Sequence, residues 1–130
     1  MGATTVFAAS KPNGNVQELV NAYLADARKN DPSVKGFSAE DGKKFFNQKR
    51  VHSIKKVEMS CVNCHTTNPM QPGKTPVGKV IEPLAPSANK ERFTDTKKIE
   101  KWFKRNCEGV LQRECTPKEK GDFITYLFSL

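Results

Sequence analysis

Residues 61–65 read Cys61-Val62-Asn63-Cys64-His65, and the order of residue types makes them chemically specific. Two thiols at this spacing fall on one helical turn, where both can add to the vinyl groups of a single haem. The next side chain then presents its imidazole to the iron as the proximal ligand. C-x-x-C-H is therefore read as a covalent haem c site, with Cys61 and Cys64 as the thioether positions and His65 on the iron. Two other chemistries use paired cysteines. A structural zinc normally shows a second ligand pair at similar spacing, and the remaining cysteines, Cys107 and Cys115, are eight apart. A thioredoxin-like redox pair sits at a strand-to-helix junction in a βαβ unit, a pattern this chain lacks.

The group opposite His65 decides what the iron can do. Electron-transfer cytochromes usually close the iron with a Met placed well downstream of the motif. Met70 and Met59 are both too near the proximal turn to cross to the other face, whereas His52, upstream, could reach and form a bis-histidine site. The chain thus lacks an obvious strong-field distal ligand, and a weak or displaceable one is what ligand binding at iron requires. With the thioether positions taken, Cys107 and Cys115 are expected to pair. Closing that short loop constrains the unfolded chain by roughly 2–3 kcal/mol in the entropy model. Thioether maturation and a stable disulfide both indicate export to an oxidising compartment such as a bacterial periplasm. Met1 to Ser10 contain no complete export signal, although Val6-Phe7-Ala8 resembles the small-residue end of one.

Helices must position these groups. Val16, Leu19, Val20, Tyr23, Leu24 and Ala27 recur at helical spacing through Asn30, ahead of Asp31-Pro32. Ser38 with Glu40-Asp41 is an N-cap followed by first-turn acids, and Phe45-Phe46 give a second helix an aromatic face to about Arg50. A third runs from Thr94-Asp95 to about Cys107, with Ile99, Trp102 and Phe103 on one side. The last starts in a capping box, Thr116 with Glu119, has Pro117 at its first position, and buries Phe123, Ile124, Leu127 and Phe128. Five prolines between Thr66 and Asn89 exclude a continuous helix or central strand there. The expected fold class is all-α, about four helices around one covalent haem. Residues 16–130 form the haem domain, and residues 1–15 are a disordered segment or signal remnant.

Composition agrees with a cofactor-filled core. The 130 residues include 22 Lys+Arg and 14 Asp+Glu, a formal charge of +8, and only 36% are apolar. So polar a chain struggles to fill a core alone, and a haem supplies a large apolar plate. Phe46 and Trp102 are the candidate pocket residues, with Phe45, Phe103, Phe123 and Phe128 as further wall candidates. No stretch approaches the ~18–20 apolar residues of a spanning helix, so an integral membrane protein is not expected. Acids interleave with the basic residues and no nucleic-acid motif accompanies them, so nucleic acid is not an expected partner; steering toward an acidic protein or small anions is a better use of the charge.

The chain resembles the sphaeroides haem protein family of monohaem c-type cytochromes. The resemblance runs from about Gly42 to Leu130: Gly42-Lys43-Lys44-Phe45-Phe46, the haem motif, the run from Gly78 to Ala88, Arg92-Phe93-Thr94-Asp95, Glu100-Lys101-Trp102, Arg105-Asn106-Cys107 and Arg113-Glu114-Cys115-Thr116. It implies a class I-like cytochrome fold and an asparagine as distal ligand. Matching the Arg-Asn-Cys element puts that ligand at Asn106, although Asn89 is an equal candidate by position alone. In the family the Asn leaves on reduction, and the open ferrous iron binds oxygen, nitric oxide and similar small molecules, with oxygen/nitric oxide redox chemistry open to such a site. The resemblance further implies a dihaem cytochrome c or a membrane cytochrome b as electron donor. The competing reading is a pure electron-transfer cytochrome with a permanent sixth ligand such as His52.

Overall fold

The first helix, α1 (Gly14–Asn30), begins where the side chain of Asn13 can do two things at once. Its Oδ1 accepts from Val16 N at 2.9 Å, and its Nδ2 donates to the carbonyl of Thr94 at 2.9 Å. These two hydrogen bonds set the start of α1 at Gly14, two residues ahead of the apolar spacing that opens at Val16. The computed structural model describes residues 10–51, 53, 56 and 58–130. Residues 1–9, including the signal-like Val6-Phe7-Ala8, lie outside the described residues, as does His52. Helix α1 buries Val16, Tyr23 and Ala27 and stops at Asp31, whose backbone is extended.

Helix α2 (Ala39–Asn47) starts at Ser38, whose Oγ accepts from Asp41 N at 3.1 Å. It ends short of the expected Arg50, because Arg50 and Val51 are taken into an antiparallel ladder, β1 (Arg50–Val51) with β2 (Glu58–Met59). The motif forms a single turn, α3 (Val62–His65). A second ladder, β3 (Gly73–Lys74) with β4 (Val80–Ile81), follows within the proline-rich segment. Neither ladder was expected, since two-residue strands are too short to leave an alternation in the sequence.

Helix α4 (Thr96–Leu111) is capped by Asp95, which accepts from Lys97 N and Lys98 N. It passes the expected end at Cys107 by a full turn and stops where Gln112 turns left-handed, at φ 58°. Helix α5 (Pro117–Phe128) has the expected capping box between Thr116 and Glu119. Four helices and one helical turn, with only these two short ladders among the described residues, make the all-α architecture.

The arrangement is set mainly where α2 and α1 lie against α5. A Cβ at Gly42 would overlap the backbone carbonyl of Asp122, so only glycine lets α2 approach α5 this closely. Asp122 itself is buried, and its carboxylate accepts from Ser38 N at 2.9 Å and from Lys118 Nζ at 2.5 Å, which pins the start of α2 to α5. Phe46, Phe103, Phe123, Leu84, Ile124, Leu127 and Val16 form the fully buried centre. No helix among the described residues is long and apolar enough to cross a membrane.

Candidate haem site

The turn α3 sets three groups in a row. His65 N donates to Cys61 O at 3.1 Å, which places both cysteines and the histidine on one helical turn. Cys61 and Cys64 are unbridged, and His65 is buried. Glycine is again required beside the site: a Cβ at Gly73 would overlap the carbonyl of Cys64, so β3 can lie against α3 only with glycine there.

Burial sets the protonation of these groups. It pushes the Cys61 thiol up to about 11, against the opposing pull of the nearby Arg50 guanidinium. A thiol held neutral is the opposite of the low-pKa thiolate used for disulfide exchange or metal capture. Burial, with the positive charge of Arg92 second, lowers His65 to about 4. Its imidazole is neutral at pH 7, with a lone pair to give. Arg92 is fixed in turn by donating to Pro83 O at 3.0 Å and Glu82 O at 2.9 Å.

Trp102 on α4 faces this turn. Its ring centroid is 6.3 Å from that of His65, and it stacks on Phe123 at 5.4 Å with an interplanar angle of 15°. An apolar cleft runs on from it, lined by Cys61, Phe45, Trp102, Phe103, Phe123, Asn106, Cys107, Val110 and Leu111. Asn106 donates its Nδ2 to Trp102 O at 2.9 Å, one turn back along α4. The amide nitrogen is committed to the backbone, which leaves the oxygen as the atom free to coordinate. Cys107, the next residue, is bonded to Cys115, with the Cα atoms 5.6 Å apart.

Not every candidate sits where the sequence suggested. Phe46 is fully buried one layer behind the cleft, stacked on Phe123 at 6.0 Å, while Phe45 lines the cleft. On α2 the cleft lies on the Phe45 side, and Phe46, about 100° further round the helix, is turned to Phe123 and Tyr126 of α5. Phe128 likewise meets Phe93 in the core and not the cleft. Val110 and Leu111 were missed, although they continue the helical spacing of Phe103, Asn106 and Cys107. Asn89 is occupied in a turn, where its Oδ1 accepts from Glu91 N at 3.2 Å. Met70 is held beyond α3 by a hydrogen bond from Ser87 Oγ to its sulfur at 3.1 Å, and Met59 lies in β2 opposite Arg50.

Comparison with known proteins bears on this geometry. Residues 32–127 match a family described as a domain of unknown function, DUF1924. Cytochrome c'' of Methylophilus methylotrophus is 43% identical over 116 residues, spanning 88% of this chain and 80% of that protein. The chain belongs to the cytochrome c'' family. The solution structure of Methylophilus methylotrophus cytochrome c'', presented in terms of the structural basis of haem-ligand detachment, superposes with a TM-score of 0.80 at 42% identity, covering 89% of this chain and 94% of that one. The cytochrome c-type protein SHP of Cereibacter sphaeroides is 50% identical over 68 residues, 52% of this chain and 53% of that protein. The structure of oxidised SHP, described as an oxygen-binding cytochrome c, superposes with a TM-score of 0.74 at 37% identity, covering 86% and 94%. Members of such a family hold haem c covalently. The residues here fit one such group: two unbridged thiols on one turn, a buried neutral imidazole beside them, and an apolar cleft shared by Cys61 and an amide.

Proposed function

We propose that this chain is an exported, periplasmic monohaem cytochrome c that accepts electrons and, on reduction, releases a weak distal ligand, Asn106, so that O2, NO or a similar small molecule can bind. The observation that carries this reading is the cleft shared by Cys61 and Asn106, in which the amide nitrogen is tied to Trp102 O. Further support comes from the relatives, one described as oxygen-binding and the other in terms of haem-ligand detachment.

A haem held here would supply a one-electron couple and an iron able to take up a diatomic molecule. The protein's part follows from its residues. Cys61 and Cys64 supply the sulfurs of the two thioether bonds. His65 gives its lone pair from a buried, neutral ring. Asn106 would offer a hard, neutral oxygen, a donor better matched to ferric than to the softer ferrous iron. Phe45, Trp102, Phe103 and Phe123 give the cleft apolar walls. Redox state thereby gates access through a single amide.

The test is the optical spectrum of the matured protein. The reduced form is expected to be five-coordinate and high-spin and to shift on adding carbon monoxide. A sharp low-spin alpha band with no shift overturns the reading in favour of a permanent sixth ligand. Asn106→Ala is expected to abolish the ferric low-spin signal, and survival of that signal unaltered removes Asn106 from the distal position.

A further inference from the structure

Five cations, Lys97, Lys98, Lys101, Lys104 and Arg105, are exposed within nine residues of α4. At about 100° per residue they fall within an arc of about 120°, with Trp102 at its edge. The one acid among them, Glu100, is directed elsewhere: it accepts the Tyr23 hydroxyl and pairs with Lys120 of α5 at 3.4 Å. Each of the other long helices has at least one cation paired with an acid, as Lys29 with Asp26 on α1, Lys44 with Glu40 on α2 and Lys118 with Asp41 and Asp122. Among the described residues, none of the five on α4 joins an ion pair.

Folding does not account for this face. Lys97 and Lys98 sit in the first turn of α4, at the positive end of the helix dipole. Lys97 with Lys101, and Lys101 with Arg105, are like charges at i,i+4, each such pair costing a few tenths of a kcal/mol. The position of Trp102 supplies the function. Its outer side shares a shallow surface depression with Lys98, Lys101 and Arg105, and its inner side meets His65 and the cleft.

We infer that this face of α4 is where electrons arrive: a redox protein with an acidic docking surface seats on Lys98, Lys101 and Arg105, with Trp102 between its redox centre and His65. The inference rests on the reading of the site as a haem centre. One electron leaves the donor and ferric iron becomes ferrous; no proton or group is transferred. A nucleic acid or an anionic membrane would meet the same charge, but neither gains from contact with a tryptophan that abuts His65.

The experiment uses the matured holoprotein and an acidic flavodoxin in its anionic hydroquinone form, which becomes the neutral semiquinone on giving up one electron. The second-order reduction rate is followed by stopped flow against ionic strength. Lys98→Glu/Lys101→Glu/Arg105→Glu is expected to lower the rate at low salt at least about tenfold and to flatten its salt dependence, as loss of steering does. Lys29→Glu/Lys35→Glu/Lys43→Glu, an equal change of net charge elsewhere, is expected to leave most of the rate. Equal losses in the two variants, or no loss in the first, overturn the inference. So does an α4 variant that reduces at the parent rate but no longer binds phosphatidylglycerol vesicles or duplex DNA. The ferric spectrum and the carbon monoxide shift are recorded for every variant, so failure of the ligand-release reading is seen separately from failure of docking.

Discussion

His65 illustrates how one buried side chain couples the site to pH. Its ring is held neutral mainly by burial, with Arg92 adding to the effect, and its pKa falls from the ordinary 6.5 to about 4. The unfolded chain therefore takes up a proton that the folded ring refuses. Stability from this group is intact above about pH 6.5 and declines as the pH falls toward 4, by up to about 3 kcal/mol. Iron and proton compete for the same lone pair, so ligation has the same sign. The thermal midpoint of the chain without haem should drop between pH 7 and 4, and His65→Phe should flatten that slope. Asp31, held below its usual range by hydrogen bonds from Ser33, and Glu119, where burial pushes up but hydrogen bonds from Arg113 and Thr116 outweigh it, add acid sensitivity at lower pH in both proteins. An equal slope in the two proteins would show that His65 is not the group responsible.

Among the elements, α4 carries most of the site, and its last turns are braced. The Cys107–Cys115 bond joins α4 to the residue before the α5 cap, Thr116, immediately after Asn106. Cys107→Ser/Cys115→Ser should lose about 2–3 kcal/mol in denaturant unfolding by the loop-entropy model. It should also turn the ferric spectrum into a mixture, as Asn106 loses a fixed neighbour. An unchanged unfolding midpoint would contradict both expectations. Three of the four helix starts were legible because caps are local chemistry: Ser38, Asp95 and Thr116 each accept from an amide two or three residues on. Two helix ends were not, although α1 stops at Asn30 as expected. Helix α2 yields to a ladder with residues 58–59, and α4 ends on a left-handed Gln112 where glycine is the usual signal.

For the whole molecule, the polar composition and the cofactor belong together. The aromatic centre of Phe46, Phe103 and Phe123 is continuous with the cleft that Cys61 and Asn106 share, so a covalently held group there becomes part of the core. Cys61→Ala/Cys64→Ala, produced with the same maturation system, should lower stability by at least about 2 kcal/mol, roughly 6–10 °C in the thermal midpoint. Retention of the full midpoint would show that the attached group contributes nothing to the core. Charge pairing is also uneven at this scale: among the described residues none of the five exposed cations of α4 joins an ion pair, whereas Lys44 on α2 and Lys118 and Lys120 on α5 do.

Spacing along the chain was enough to specify the chemistry. Two thiols and an imidazole within five residues are bound to one helical turn, and no later packing alters which atoms they present. Juxtapositions across the chain were beyond it. That Asn106 shares a cleft with Cys61 while Asn89 is spent in a turn, and that Phe45 faces the cleft while Phe46 faces α5, depend on how α2 and α4 lie on α5. The α2 part of that geometry rests on a glycine at a helix crossing and a buried carboxylate, whose effects are felt only by residues far away in sequence. Local bonding thus determined the groups available for a haem, and tertiary packing decided which of them meet.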